Sequence, residues 1–328
     1  MAARFFQGRS AGSEVQFPSL LTLVAIILLP ALFPEKIGWL ATLIPLPVFY
    51  YHTSLGKQKG IVLIRNSVFL ATLGALIFGI LPKLFFSLTM VPLGIVFSYG
   101  VFNRKSPVVT GFTGFIVLVF TWLFYWAVIS LLHQTNLYET LLVEIDKGLS
   151  NGLMLYEQSA ELAPDTLESL RRAVKLLQYY FPKVLTALLI SALLGTTWLN
   201  LVLGNLLLKK KNRDQTPWPD YNEWKLPDPL VWLVILSGIF FLLLPKPLNI
   251  LGLNGLIICS TIYFFQGFAI AASLLNRWSV PGLIRVLIYA LIFIQTYGII
   301  ILSFLGLVDV WADFRKLNEA GDSPNSSV

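Results

Sequence analysis

Charged residues are scarce in this sequence. They make up 12% of its 328 residues, and the mean hydropathy is +0.74. A soluble domain carries roughly 25% charged residues, so this deficit points to a lipid-facing protein. Several apolar runs also exceed the ~18–20 residues that are needed to cross a hydrocarbon core. The sequence therefore predicts an integral membrane protein.

Cysteine and histidine are almost missing. Cys259 is the only cysteine and lies inside an apolar run, which excludes an intramolecular disulfide and disfavours a cysteine-based metal site. His52 and His133 lie at the ends of predicted spans on opposite sides of the membrane, so they cannot share a metal ion. No phosphate-binding loop, dinucleotide fingerprint or zinc-protease motif is present. We predict no metal and no cofactor.

Catalytic patterns are equally sparse. The stretch Gly148–Gly152 reads G-x-S-x-G, but a nucleophile elbow needs a strand before it and a helix after it, and this stretch belongs to an amphipathic helical segment. We therefore predict no catalytic residues and no enzyme. No Asp or Glu falls in the middle of a predicted span, and the spans are expected to hold no buried ionisable group. This disfavours a proton-coupled pump.

The long uninterrupted apolar runs favour helices over barrel strands. We predict an all-α fold, a polytopic transmembrane helical bundle of eight or nine spans with an amphipathic helical insert. The predicted spans are 17–33, 37–51, 61–81, 84–102, 108–132, 184–208, 231–244, 251–275 and 283–308. The second, which contains Pro45 and Pro47, and the seventh are the weakest.

These spans imply six parts of the chain. They are an N-terminal transmembrane bundle of about five spans, an extracytoplasmic acidic insert, a central span, a basic Trp/Pro-rich cytoplasmic loop, a C-terminal transmembrane module and a disordered tail. Their predicted bounds, in that order, are 1–132, 133–180, 181–208, 209–230, 231–317 and 318–328.

The basic residues are distributed unevenly between the two sides. Fourteen Lys and Arg residues fall in loops on one side, and only Lys36, Lys83 and Lys246 fall in the short loops opposite. This places the N-terminus and the basic loop in the cytoplasm. It also accounts for the net charge of +7 without a nucleic-acid partner. With nine crossings, however, Arg315 and Lys316 would lie outside, where they fit the rule poorly.

The acidic insert contains two apolar stripes with helical spacing. They consist of Leu137, Leu141, Ile145 and Leu149, and of Leu167, Leu170, Val174 and Leu177. We predict two amphipathic helices that lie on the outer surface or cap the bundle. The alternative is a lid over an outward-facing cavity.

Neutral amides within the spans are candidates for ligand contact or for polar packing between helices. They are Gln266, Asn200 and Gln295. An amide inside a bundle must find a partner, so Gln266 either bonds to a neighbouring helix or contacts a ligand. In the second case the fifth, sixth, eighth and ninth spans enclose a neutral polar pocket that opens outward beneath the insert.

The aromatic half of the basic loop needs a separate explanation. A topology signal requires cations, and Trp218, Trp224 and Pro227 add nothing to it. We predict a structured cap that folds back onto the bundle, or a docking surface for a cytoplasmic partner.

A motif closes the last span: Gly306, Asp309, Asp313 and Arg315. Asp309 and Asp313 share a helix face near a C-terminus, where acids oppose the helix dipole and need a basic partner. We interpret Trp311, Arg315 and Lys316 as an interfacial anchor.

Three features in this order resemble the YybS-like family of uncharacterised bacterial multi-pass membrane proteins. They are the segment Trp224–Pro227, the triplet Phe265–Gly267 and the closing motif from Gly306 to Arg315. The resemblance implies a polytopic protein of the bacterial inner membrane without an established activity. The chain is also distantly similar to the membrane-embedded substrate-capture subunits of energy-coupling-factor vitamin transporters, although it has more predicted spans than the six typical of them.

Three functions remain open. The first is a substrate-binding or transport component with an unidentified small-molecule ligand. The second is a non-catalytic scaffold that recruits a cytoplasmic partner through 218–229, which predicts a bundle without a cavity and a solvent-exposed Trp224. A lipid-modifying enzyme ranks last, because the sequence offers no cluster of catalytic groups.

Overall fold

The computed structural model describes residues 16–158, 163–211 and 217–315, and helices account for nearly all of them. The helices are α1 Gln16–Leu32, α2 Pro34–Ile37, α3 Pro45–Leu55, α4 Lys57–Ile77, α5 Leu81–Leu88, α6 Val91–Phe102, α7 Pro107–His133, α8 Leu137–Gln158, α9 Pro164–Lys211, α10 Val231–Leu243, α11 Leu248–Arg277, α12 Gly282–Ile294 and α13 Thr296–Ala312. Short 3₁₀ helices form at Gly38–Leu43, Tyr221–Glu223 and Asp228–Leu230. These ranges contain no strand, which confirms the all-α prediction. The predicted tail at 318–328 lies outside them.

Five helical segments are long and apolar enough to cross a membrane. They are α4, the pair α5–α6 taken together, α7, α9 and α11. Two further pairs pass the same test but are sharply bent, by 108° between Phe17–Leu32 and Pro34–Leu55 and by 101° between Gly282–Ile292 and Tyr297–Ala312. Counting each bent pair as one span gives up to seven. The prediction of eight or nine spans is not confirmed.

The difference in span number has local causes. Pro34 and Pro45 each begin a new helix, so the first two predicted spans become one bent pair. Helix α10 has 13 residues, about 20 Å of helix, which is shorter than the ~30 Å hydrocarbon core. The ninth predicted span breaks at Gln295, whose backbone is extended with φ −100° and ψ 121°.

The insert is a helical hairpin that continues into the membrane bundle. Helix α9 runs without interruption for 48 residues, through Pro182, so the second predicted amphipathic helix and the sixth predicted span form one helix. Helix α8 packs against its first part, where Arg171 Nε bonds to Glu157 Oε1 at 2.7 Å and Gln178 Nε2 donates to Ser150 Oγ at 3.1 Å.

An apolar core joins α1, α3, α4, α5, α6, α7 and α9. Phe49 of α3 lies at its centre, with the ring of Phe97 edge-on at 5.6 Å and the ring of Trp218 stacked at 5.7 Å. Aromatic pairs in these arrangements add stability beyond the area that they bury. Trp218 belongs to the loop after α9, so this loop is built into the core.

Helices α11 and α13 cross with their backbones in contact. A Cβ atom on Gly267 would collide with the carbonyl oxygen of Leu302, and one on Gly306 would collide with the carbonyl oxygen of Tyr263. Only glycine permits an approach this close, which is how helices without a hydrophobic driving force between them gain packing contact. Helix α11 also packs on α9 and α10, so α9 connects the two halves of the protein.

Helix α11 also defines the two ends of the bundle. Near its start, Asn254 Nδ2 donates to the carbonyl oxygen of Lys183 at 2.7 Å, at what we call the insert end. Further along, Gln266 Oε1 accepts from the backbone N–H of Leu226 at 2.8 Å, at the loop end. Arg315 contacts the same loop, so it lies beside the basic segment and not across the bundle from it. This removes the poor fit of Arg315 that nine crossings would create.

Candidate ligand-binding cavity and the polar network behind it

A cavity of about 770 Å³ opens between α7, α9, α11 and the loop at 221–230. This volume falls within the roughly 300–1,000 Å³ of typical small-molecule sites. Its lining is mostly aliphatic and aromatic, and includes Phe115, Val119, Ile190, Leu194, Ile258 and Ile262. The lining includes residues of the predicted fifth, sixth and eighth spans and of the loop, but none of α8 or α13. This cavity therefore differs from the expected pocket, which includes the ninth span and lies beneath the insert.

Most polar groups on the cavity wall are already hydrogen-bonded within the protein. Thr197 Oγ1 donates to the carbonyl oxygen of Leu193 at 2.8 Å. Trp198 Nε1 donates to the Tyr221 hydroxyl at 3.0 Å, and that hydroxyl donates to the carbonyl oxygen of Phe265. Burial raises the pKa of Tyr221, which keeps its hydroxyl protonated and able to donate. Lys225 also lines the cavity and forms an ion pair, with its Nζ 3.2 Å from Asp228 Oδ1. The rest of the wall is mostly hydrocarbon and aromatic surface.

Gln266 lines the cavity, yet its amide is occupied. Oε1 accepts from the backbone N–H of Leu226 at 2.8 Å, and Nε2 donates to Asp309 Oδ2 at 2.9 Å. The side chain therefore links α11 to the loop on one side and to α13 on the other. A buried amide satisfied in this way stabilises the arrangement of its neighbours.

Asp309 and Arg315 form a buried ion pair behind Gln266. Their side chains are 1% and 2% exposed, and Arg315 Nη2 lies 3.0 Å from Asp309 Oδ2. Asp309 Oδ1 accepts from the backbone N–H of Phe314 at 2.9 Å. Arg315 Nη1 donates to the carbonyl oxygens of Asn222 at 2.9 Å and Trp224 at 2.8 Å. We call Gln266, Asp309 and Arg315, with the loop backbone that they hold, the latch.

A turn at Asp313 makes this ion pair possible. Helix α13 ends there in the left-handed conformation, with φ 39°, and the N–H of Asp313 bonds to the carbonyl oxygen of Asp309 at 3.1 Å. The chain then folds back, so Arg315 returns to Asp309. For Asp309, the expected basic partner is thus Arg315. The side chain of Arg315 is 2% exposed, so Arg315 does not serve as an interfacial anchor, whereas Trp311 is 68% exposed. Lys316, the third residue of the predicted anchor, lies outside the described residues.

The structure also corrects the expectation that ionisable groups are absent from the interior. Asp309 lies one residue beyond the predicted end of the ninth span, and Arg315 lies beyond the helix itself. Asp309 faces Gln266 of α11, and the reversal at Asp313 brings Arg315 back to it.

The three candidate amides do not come together. Asn200 is buried on α9, where its Nδ2 donates to the carbonyl oxygens of Thr42 at 2.7 Å and Thr196 at 2.8 Å. Gln295 is exposed at the break between α12 and α13. Of the three, Gln266 alone lines the cavity.

The three loop candidates occupy different environments. Trp218 is 5% exposed and donates from Nε1 to the carbonyl oxygen of Lys105 at 2.8 Å. Trp224 is half-buried and donates to the carbonyl oxygen of Pro219 at 3.0 Å. Pro227 is exposed at the edge of the cavity. This matches the structured cap, and Trp224 lacks the full exposure that the scaffold hypothesis requires.

Two groups that anchor the loop had no sequence prediction. Tyr221 bridges Trp198 and Phe265, and Lys209 forms an ion pair with Asp220. Tyr221 belongs to the same aromatic part of the loop as Trp218 and Trp224, and this was the only sequence feature that pointed to its role. Among the described residues no group of three or more His, Cys, Asp or Glu side chains is placed to hold a metal ion.

Comparison with known proteins adds one finding. The family described as "Predicted membrane protein (DUF2232)" matches residues 20–310. The chain belongs to the DUF2232 family. The match covers the cavity, Gln266 and Asp309, and ends before Arg315. No curated protein and no solved structure matches this DUF2232 protein.

Removing the Tyr221 hydroxyl tests the anchoring of the loop. In Tyr221→Phe, Trp198 Nε1 loses its acceptor and the carbonyl oxygen of Phe265 loses a donor. We expect the free energy of unfolding in detergent to fall by about 1–3 kcal/mol, because buried polar groups lose their partners. Tyr297→Phe, at a tyrosine that is 75% exposed, is the matched control and should change little. Equal effects of the two substitutions would contradict this role.

Proposed function

We propose that this membrane protein is a substrate-binding or transport component, and that it holds the hydrocarbon part of its ligand in the cavity between α7, α9 and α11. The observation that supports this is the cavity of about 770 Å³, which a scaffold without a ligand does not require. The half-buried position of Trp224 also argues against the scaffold hypothesis, which predicts a solvent-exposed Trp224.

The cavity wall favours an apolar ligand. The polar atoms of Thr197, Trp198, Tyr221 and Gln266 are bonded within the protein. A polar solute such as a vitamin would lose its hydration there and find few new partners, which costs free energy. An acyl or isoprenoid chain has no hydrogen bonds to water to lose, and the burial of its apolar surface is favourable. The proposed ligand class is therefore lipid-like.

The orientation belongs to the same proposal. The loop end carries the cationic segment 209–211 and Arg315, so the positive-inside rule assigns that end to the cytoplasm of a bacterial inner membrane. The resemblance to YybS-like proteins supports the same location. The distant similarity to substrate-capture subunits supports the functional class, and it supplies no ligand-binding residue.

A substitution that fills the cavity tests the proposal. Leu194 lies on α9 and lines the cavity, whereas Leu206 on the same helix is exposed and does not. We expect the wild-type protein, purified in mild detergent, to carry a lipid-like molecule that native mass spectrometry detects. Leu194→Trp should lose it, because the larger side chain occupies the space. Leu206→Trp should retain it.

The outcome is decisive in either direction when all three proteins melt at similar temperatures. Loss of the molecule from Leu194→Trp alone supports the cavity as the site. Equal occupancy in all three proteins, or no bound molecule in the wild type, would refute the proposed function. If the wild type carries no bound molecule, the scaffold becomes the better-supported function, and Trp224→Ala should then lose a co-purified protein partner.

A further inference from the structure

Two lysines of the insert end lie where the helices enter the apolar region. Lys183 directly precedes the apolar part of α9, and Lys246 lies two residues before α11 begins. Asn254 of α11 fixes the two helices together at this level, because its Nδ2 donates to the carbonyl oxygen of Lys183 and its Oδ1 accepts from the N–H of Ala187 at 3.0 Å. Lysines at such a boundary keep their ammonium groups at the membrane–water interface, where phospholipid headgroups lie.

Both lysines converge on one tyrosine. Lys183 Nζ lies 2.9 Å from the ring centroid of Tyr179 and 5.3 Å from that of Tyr180. The two rings meet edge-on, with centroids 4.9 Å apart. The positive charges of Lys183 and, to a smaller extent, Lys246 lower the pKa of Tyr179, because both stabilise its phenolate form. Two ammonium groups and a phenol thus share one small patch on the surface.

The patch holds positive charge without a matching acid. The nearby cations of the insert are paired, Lys147 with Glu144, Arg171 with Glu157 and Arg172 with Glu168. Within the described ranges no carboxylate lies within 4.0 Å of the Nζ atom of Lys183 or of Lys246. Two ammonium groups beside one tyrosine repel each other, and an anion bound between them would relieve this repulsion.

Membrane topology gives no reason for these lysines either. They belong to the end of the bundle that has few basic residues, where the positive-inside rule requires none. Exposed apolar side chains of α9 and α11, among them Leu188, Leu248 and Leu251, follow within two turns of the patch. A molecule that binds here can therefore present an anionic group to the lysines and hydrocarbon to the helices.

We propose that Lys183, Lys246 and Tyr179 form a site for the phosphate of an anionic phospholipid headgroup. The ammonium groups donate charge-assisted hydrogen bonds to the phosphate oxygens, and the Tyr179 hydroxyl donates a further one. The acyl chains lie along the exposed apolar surface of α9 and α11. None of these three residues lines the cavity, so the site is separate from it and does not depend on the proposed function.

The test measures which lipid remains on the protein. Wild-type protein is reconstituted in nanodiscs with equal parts of phosphatidylglycerol and phosphatidylcholine, extracted in mild detergent and examined by native mass spectrometry. We expect selective retention of phosphatidylglycerol. In the double variant Lys183→Gln/Lys246→Gln this selectivity should fall roughly thirtyfold, because each lysine contributes about 1 kcal/mol to the binding free energy of the anionic lipid. The control Lys36→Gln/Lys83→Gln removes two exposed lysines of the same predicted side and should keep it.

Two results would overturn the site. The first is equal retention of phosphatidylglycerol in the wild type and in the Lys183→Gln/Lys246→Gln variant, with both melting at the same temperature. The second is stabilisation of the wild type by inorganic phosphate as strong as that by phosphatidylglycerol, which would reveal a site for a free anion. Tyr179→Phe leaves both lysines in place and should weaken retention by a smaller factor. If the double variant fails to fold, retention of phosphatidylglycerol is compared in Tyr179→Phe and in each single Lys→Gln variant. Retention equal to that of the wild type in all three would overturn the site.

Discussion

Arg315→Ala is expected to lower the free energy of unfolding in detergent by about 3–5 kcal/mol, the usual cost of leaving one member of a buried ion pair unpaired. Asp309 is 1% exposed and would lose the guanidinium whose Nη2 lies 3.0 Å from its Oδ2. The carbonyl oxygens of Asn222 and Trp224 would lose their donor as well. Thermal and denaturant-induced unfolding of the purified variant measure this loss.

Arg172→Ala is the matched control. It also removes an arginine from an ion pair, but the side chains of Arg172 and Glu168 are 73% and 61% exposed. Pairs at this exposure contribute about 0–1 kcal/mol, because water screens the charges. A small effect of Arg315→Ala, similar to that of Arg172→Ala, would show that the latch is open or absent in solution.

Gly306→Ala is expected to be the other strongly destabilising change. Its Cβ atom would collide with the carbonyl oxygen of Tyr263 and lie 2.7 Å from the backbone nitrogen of Gly267, so α13 must move away from α11. Overpacking typically costs about 1–3 kcal/mol, and more where backbone blocks the relaxation. The same movement stretches the hydrogen bond from Gln266 to Asp309, so we expect a loss at the upper end of this range or above it.

Gly195→Ala is the same substitution in a helix, but we do not expect it to destabilise the protein. A Cβ atom at Gly195 meets nothing within 4 Å. Alanine is favoured over glycine in a helix interior by about 1 kcal/mol, so this variant should be neutral or slightly more stable. Melting temperatures of the two variants in one detergent compare them directly. A Gly306→Ala protein as stable as the wild type would contradict the close crossing of α11 and α13.

The parts of the fold that depend on composition could be predicted from the sequence. Helix α7 ends within a residue of the predicted fifth span, and α11 contains the predicted eighth span within its bounds. The loop was expected to fold back because Trp218 and Trp224 have no use in a topology signal, and Trp218 is indeed buried in the core. Hydropathy and residue type are local signals, so they are enough to predict where these helices lie and that the loop packs on the bundle.

The bends, the latch and the cavity depend on contacts between distant residues. The break at Gln295 and the reversal at Asp313 set the direction of the chain, and neither residue type requires the backbone conformation that it adopts. The pairing of Gln266 with Asp309 joins residues 43 positions apart. A polar residue in an apolar stretch indicates that a partner exists, but the fold alone decides which partner. The same holds for the cavity, which needs three helices and a loop to form its wall.

Hydrogen–deuterium exchange of the loop at 217–230 tests most directly whether the latch closes this end of the bundle. In the wild-type protein, peptides that cover 221–230 should exchange slowly, because the N–H of Leu226 is bonded to Gln266 and the neighbouring carbonyl groups are held by Arg315. Arg315→Ala, measured well below its melting temperature, should speed this exchange while α7 and α11 remain protected. Rapid exchange of the loop in the wild type, or exchange that does not respond to Arg315→Ala, would contradict the latch.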